Sequence, residues 1–139
     1  MKLLIDTNVI LDILMQREPF FPASYQAVRT AIEADTLCYL SASAATDIYY
    51  VLRKHLKSPV EAKRRLHDLG QLMQFTDVQP ADIQEALLAD VTDFEDAVVD
   101  AVATRIGADY ILTRNIKDFR ESNTPAVTPS DFLLHGSDS

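Results

Sequence analysis

The chain has very little glycine, a single cysteine and no long apolar run. Its three glycines, at positions 70, 107 and 136, cannot build phosphate-cradling loops of the Walker or dinucleotide type, which need glycines a few residues apart. Cys38 is the only cysteine, so no intrachain disulfide can form, and a reducing cytoplasmic location is expected. No stretch approaches the ~20 apolar residues that cross a bilayer. Met1 to Asp6 is too short and too soon acidic for a secretion signal, so no membrane association is expected. The histidines, at 55, 67 and 135, are scattered, which leaves no imidazole cluster. Basic residues are also scarce: Lys and Arg number 13 against 21 Asp and Glu, a net charge of −8. That balance argues against broad, non-specific adhesion to nucleic acid, which needs a basic surface. The argument is only partial, because acids gathered at a metal site are neutralised by bound ions.

What remains is an ordinary composition in an informative order. The 139 residues, 47% hydrophobic and 24% charged, suit one domain with one core. Apolar runs at 2–6, 37–40, 74–78, 109–113 and 126–127 read as strands, with helical patterns between them. Thr7 or Asn8 can cap a helix running to about Met15, and a loop at 17–22 leads to a helix over 24–34. Ser43 can cap the next helix, ending near Lys57. Ser58-Pro59-Val60-Glu61 reads as a capping box with proline at the first helical position, and its helix sets Ala62, Leu66, Leu69 and Met73 on one face. Pro80 starts a helix carrying Ile83, Ala86 and Leu87. Thr92-Asp93-Phe94-Glu95 reads as a second capping box, opening a helix that ends at Gly107. The buried stripe of that helix is expected to be Phe94, Ala97, Val98, Ala101, Val102 and Ile106. A final turn at 130–134 completes one domain over 1–134, with 135–139 expected to fray. Alternating strands and helices predict an α/β fold with a parallel sheet covered on both faces.

The acids fall at the ends of these runs. Asp6 closes Leu3-Leu4-Ile5, and Asp47 lies in the first turns of the helix after the second strand. Asp93, Asp96 and Asp100 belong to one helix, while Asn115 and Asp118 follow Tyr110-Ile111-Leu112-Thr113. In an α/β fold such places share the carboxyl edge of the sheet, where ligands bind. Several carboxylates cannot stay ionised side by side unless cations neutralise them. Oxygen donors suit Mg²⁺ or Mn²⁺, and phosphoryl chemistry is the usual use of such a site. At 100° per residue, Asp93, Asp96 and Asp100 lie within about 60° of arc. The helix dipole accounts for Asp93 and Glu95 in a first turn but not for Asp100 a turn later. Asp6 serves equally well as a helix cap. Thr7, Asn8, Ser43 and Thr113 offer hydrogen bonds to water or phosphate. Arg114 is either a phosphate clamp or an exposed salt-bridging residue. The basic runs Arg53-Lys54-His55-Lys57 and Lys63-Arg64-Arg65 read as solvated helix faces.

Four segments in order carry a family resemblance. Residues 2–12, KLLIDTNVILD, resemble the opening of PIN-domain nucleases, and residues 46–54, TDIYYVLRK, their second acidic segment. Asp93-Phe-Glu-Asp-Ala97 is similar to the third, and Thr113-Arg-Asn-Ile-Lys-Asp-Phe119 to the fourth. Each motif is weak singly, whereas the ordered set is specific. The resemblance implies a three-layer α/β/α sandwich around a short parallel sheet, dependence on Mg²⁺ or Mn²⁺, and RNA as substrate. It carries metal-binding and catalytic roles onto Asp6, Asp47 and Asp96, with Asp118 or Asn115 in the fourth place. Two departures stand out: many relatives have glutamate at the place of Asp47, and many have aspartate at that of Asn115.

The family includes the toxins of VapC-type toxin–antitoxin pairs, so a cognate antitoxin is an implied partner. Relatives often pair, and the apolar faces at 62–73 and 83–87 are expected to support a two-fold dimer. Two alternatives remain open at this point. One is a PIN-like module that binds RNA or a partner without cutting. The other is a haloacid-dehalogenase-like phosphatase with Asp6 as nucleophile, although Asn8 stands where that chemistry wants a second acid.

Overall fold

A computed structural model describes residues 1–135. Five strands form one sheet: β1 (Lys2–Ile5), β2 (Leu37–Ser41), β3 (Gln74–Thr76), β4 (Tyr110–Leu112) and β5 (Ala126–Val127). All neighbours are parallel, in the order β3-β2-β1-β4-β5. The helices are α1 (Thr7–Leu14), α2 (Phe21–Glu33), α3 (Ala42–Leu56), α4 (Pro59–Leu72), α5 (Pro80–Leu88), α6 (Phe94–Ile106) and α7 (Pro129–His135), with a 3-10 turn at Ile116–Phe119. His135, read from sequence as the start of the frayed tail, closes α7, and the rest of that tail lies outside the described residues.

Strand alternation divides the core into two layers. Leu3 and Ile5 point into one, shared with Val9, Ala27, Ile48 and Leu69 from α1 to α4. Leu4 points into the other, with Ala86 of α5 and Val98 and Val102 of α6. This is the sandwich that alternating strands and helices require: both faces of the parallel sheet are covered, so its strands are apolar on both sides. The chain winds outward from β1 to β3 and returns to place β4 on the other side of β1. The strand order therefore reverses between β1 and β4, opening a crevice at their carboxyl ends.

Several local expectations shift by a residue or two. Helix α2 starts at Phe21 rather than Ser24, because a proline in the first helical turn has no missing hydrogen bond to answer for. The caps are Asp6, Ser41 and Asp93 rather than Thr7 or Asn8, Ser43 and Thr92. At the first two junctions the strand runs straight into the helix, so only the residue at the strand end is placed to cap it. The third strand stops at Thr76, two residues short of the expected end. Gln79 and Asp82 form a capping box for α5 that the sequence reading does not include.

The apolar faces behave differently from one another. Ala62, Leu69 and Met73 are buried in the chain's own core, so the α4 face needs no partner. On α5, Ala86 is buried, while Leu87 and Leu88 are 68% and 86% exposed. In α6 the expected stripe holds for Ala97, Val98 and Val102, but Phe94 is 48% exposed. As the first residue of the helix, Phe94 stands beyond the packed turns, at the mouth of a cleft.

Candidate functional site

Asp6 is the single residue between β1 and α1. Its backbone N–H donates to Leu112 O at 2.9 Å, so it belongs to the same ladder as β4. Its carboxylate is held by three hydrogen bonds: Oδ1 accepts from Thr7 N at 2.8 Å, and Oδ2 from Thr113 Oγ1 at 2.8 Å and Asn8 Nδ2 at 3.3 Å. Asn8 in turn accepts from Arg114 N at 3.4 Å, and Thr113 Oγ1 from Asn115 N at 3.1 Å. Four residues named from sequence (Thr7, Asn8, Thr113 and Asp6 itself) thus form one polar knot across the β1/β4 crevice. Burial raises the Asp6 carboxyl above its ordinary value, against the Thr113 and Thr7 hydrogen bonds that lower it, and the charge of Asp118 raises it further.

The second group of acids comes from the start of α6. Asp93 caps the helix, its Oδ1 accepting from Asp96 N at 3.0 Å. Asp96, one turn in and half-buried, has its carboxyl pushed up to about 7, first by burial and then by the charges of Asp6, Asp93, Asp118 and Glu95. Glu95 is also raised, by burial, then by a hydrogen bond and charge from Asp47, then by Asp93 and Asp6. A carboxyl–carboxyl hydrogen bond needs one partner protonated. Asp47 therefore reaches the cluster through Glu95. Sequence reading treats Glu95 only as a dipole-favoured first-turn acid, and its position beside Asp96 in the third motif is the signal it leaves unused. Ser43 Oγ lies 3.1 Å from Ser41 Oγ, on the rim of the cleft that also holds Thr7 and Asp47.

After β4, Asp118 and Asn115 part company. Asp118 sits on the 3-10 turn, and its charge is felt by both Asp6 and Asp96. Asn115 is exposed and caps the turn through its backbone, with Asp118 N donating to Asn115 O at 3.0 Å. Asp118 is in electrostatic reach of the other acids, while Asn115 is neutral and adds no charge to the group.

Two expected site residues do other work. Asp100 is 3% exposed and accepts from Thr124 N at 2.9 Å, Asn123 N at 3.0 Å and Thr104 Oγ1 at 3.4 Å. It ties the segment before β5 to α6 and is not among the groups that raise Asp96. This explains an acid that the helix dipole could not. Arg114, a candidate clamp, grips the fully buried Asp12 through Nε at 2.7 Å and Nη2 at 3.4 Å. Its guanidinium also lies over Phe20, 4.0 Å from the ring centroid. A buried carboxylate must be paired, so Arg114 is committed to Asp12.

These groups fit a hard divalent cation in kind. They are oxygen donors, and burial with neighbouring charge makes Asp6, Glu95 and Asp96 harder to ionise, which is the condition a cation relieves. Among the described residues no three acid, histidine or cysteine groups already stand in chelating positions. The expected gathering of Asp6, Asp47 and Asp96 on one point is therefore not formed as a cage.

Comparison with known proteins places the chain in context. The family model described as PIN domain matches residues 2–117. The sequence is 27% identical to Ribonuclease VapC1 of Aquifex aeolicus, over 94% of this chain and 92% of that protein. Among solved structures, a chain of the VapBC2 complex of Rickettsia felis bound to a promoter DNA fragment superposes with a TM-score of 0.72 at 14% identity. That match covers 92% of this chain and 98% of the other. VapC20 of Mycobacterium tuberculosis, a Sarcin-Ricin loop cleaving toxin, gives a TM-score of 0.60 at 14% identity, covering 78% and 86%. At such identities these likenesses speak for the fold.

Proposed function

Because the chain belongs to the PIN domain family, we propose that it is a divalent-metal-dependent endoribonuclease that cleaves RNA phosphodiester bonds as the toxin of a toxin–antitoxin pair. One observation carries the reading. The carboxyls of Asp6, Glu95 and Asp96 are raised at the β1/β4 crevice by burial and then by the charges of acids from separate segments, Asp93 and Asp118 among them. Asp6, Asp96 and Asp118 would hold Mg²⁺ or Mn²⁺, with Asp47 entering through Glu95. When bound, such an ion supplies neutralising charge to a phosphoryl group and lowers the pKa of attacking water.

The chain's own residues do the positioning. Thr113, Asn8 and the Thr7 amide fix the rotamer of Asp6, so its carboxylate is oriented before anything binds. Without an ion the Asp96 carboxyl is pushed up to about 7, so taking up a divalent cation there would release its proton. Asp118, rather than Asn115, completes the acid set. With Arg114 occupied by Asp12, the exposed Lys117 and Arg120, which share a cleft with Asp93 and Asp118, are candidate cations for substrate phosphates. Asp90 and Glu121 line the same cleft, so phosphate binding there would depend on a cation neutralising the acids.

The toxin role and an antitoxin partner are supported by the VapC and VapBC relatives. A cytoplasmic location accords with these roles, and no described helix is long and apolar enough to cross a membrane. Pairing into a homodimer is supported by the exposed Leu87 and Leu88 of α5. The phosphatase alternative loses ground because Asn8, the residue at its second acid position, is spent on hydrogen bonds to Asp6 and Arg114.

The test is cleavage of single-stranded RNA by the purified protein. Mg²⁺ or Mn²⁺ should support it, EDTA should abolish it, and Asp6→Asn and Asp96→Asn should each remove it. RNA binding without cleavage under any metal would favour the non-cutting module, and turnover of p-nitrophenyl phosphate but not RNA would favour the phosphatase.

A further inference from the structure

Phe94 presents nearly half of its aromatic side chain to solvent at the start of α6. It is the first residue of that helix, directly before Glu95 and two before Asp96. It borders a cleft of about 300 Å³ whose apolar wall it builds with Val78, Ile83 and Val99. The same cleft is also lined by the hydroxyls of Ser41, Ser43 and Thr46. Ser43 Oγ contacts only Ser41 Oγ, and Thr46 Oγ1 donates to Ser43 O at 2.9 Å while its lone pairs stay free. The cleft also includes Asp47 and Glu95, so it opens directly onto the acid cluster.

An aromatic face sharing a cleft with hydroxyls that have spare hydrogen-bonding capacity suits a flat, heteroatom-edged ring. Apolar peptide side chains would use the wall and leave the hydroxyls unanswered, and a phosphate would find no cation there. We propose that this cleft is a nucleobase subsite: Phe94 stacks on one base of a single-stranded RNA, and Ser43 and Thr46 contact that base's edge. The phosphodiester beside the stacked base is thereby registered over the acid cluster. The inference rests on the ribonuclease reading and deepens it, because it names residues that hold a base beside the bond to be cut. Stacking is tolerant of sequence, so Phe94 supplies affinity while the hydroxyls discriminate between base edges.

The experiment compares wild type, Phe94→Tyr, Phe94→Leu and Phe94→Ala on an RNA oligonucleotide that wild type cleaves at one position, with Mg²⁺ or Mn²⁺. Loss of one base–aromatic stack should raise KM about 5- to 150-fold in Phe94→Ala and Phe94→Leu. The kcat should hold within about twofold, and Phe94→Tyr should restore KM. Oligonucleotides with an abasic residue scanned along the strand should reveal one position whose loss mimics Phe94→Ala and adds nothing to it, since two changes that break one contact are not additive. Unchanged KM in Phe94→Leu, or an abasic scan with no such position, would overturn the subsite while leaving the ribonuclease reading in place. A mass by light scattering that falls from dimer to monomer in Phe94→Ala would assign Phe94 to a subunit interface and also overturn it. Absence of RNA cleavage by wild type itself would bring down the ribonuclease reading, and this subsite with it.

Discussion

Asp96→Asn exchanges a carboxyl group for its neutral isostere at the most perturbed acid of the cluster. The Asp96 carboxyl titrates near 3.8 when the chain is unfolded and at about 7 when folded. Its raised value means the folded state keeps a proton that the unfolded state has lost. The stability Asp96 contributes as a neutral group is complete below pH 3.8 and is lost progressively as pH rises to about 7. At ~1.4 kcal/mol per pH unit the ceiling is ~4 kcal/mol. Because Asp96 is only half-buried, solvent screening brings this to ~1–2 kcal/mol. Asparagine never ionises, so the variant escapes the loss. For a chain of this size that is a gain of ~3–7 °C in Tm at pH 8, shrinking towards zero near pH 4. Thermal unfolding of both proteins from pH 4 to 8 without divalent ions measures the difference, and subtracting the curves cancels the titrating groups outside the cluster. Adding Mg²⁺ should raise wild type and leave the variant behind, since an ion that binds only the folded state stabilises it. A difference that stays flat across pH, or that favours wild type at pH 8, would refute the account of Asp96 as a carboxylate crowded by its neighbours.

Asp100→Ala should cost ~3 kcal/mol or more in urea unfolding, because it orphans two backbone N–H groups; a loss under ~1 kcal/mol would show that the segment before β5 is held otherwise. Arg114→Leu leaves Asp12 buried with only Arg17 at 3.7 Å, so a loss of ~3 kcal/mol is expected, and unchanged stability would free Arg114 for the clamp role. The Cys38 thiol, pushed up to about 11 by burial, should resist a thiol-disulfide reagent at pH 8 in the native protein and react once unfolded.

The layer order was legible because strands and helices differ in hydrophobic period, and the site's place was legible because strand ends in a parallel sheet share an edge. Position in sequence could not say which acids answer to one another. Asp100 lies on the same arc of α6 as Asp93 and Asp96, yet it faces backbone donors from a segment twenty residues on. Glu95 looked like dipole decoration, and only the approach of α3 to α6 gives it Asp47 as a neighbour. Arg114 and Asp12 are 102 residues apart, and no local pattern announces such a pair. Phe94 fits the helical stripe by spacing, but spacing carries no information about where the sheet beneath a helix stops.

The direct passage from β1 into α1 has a dynamic consequence. The Asp6 amide is a rung of the sheet itself, so that half of the site can open only when the whole domain does. The other half hangs on the Asp93 cap, an exposed end of α6 that can fray by itself. Amide exchange should report the contrast, with the Asp6 N–H among the slowest protons and the Asp96 N–H among the faster ones. A centre built in this way has one fixed jaw and one adjustable jaw. Substrate shape can then be accommodated at the start of α6 without disturbing the core.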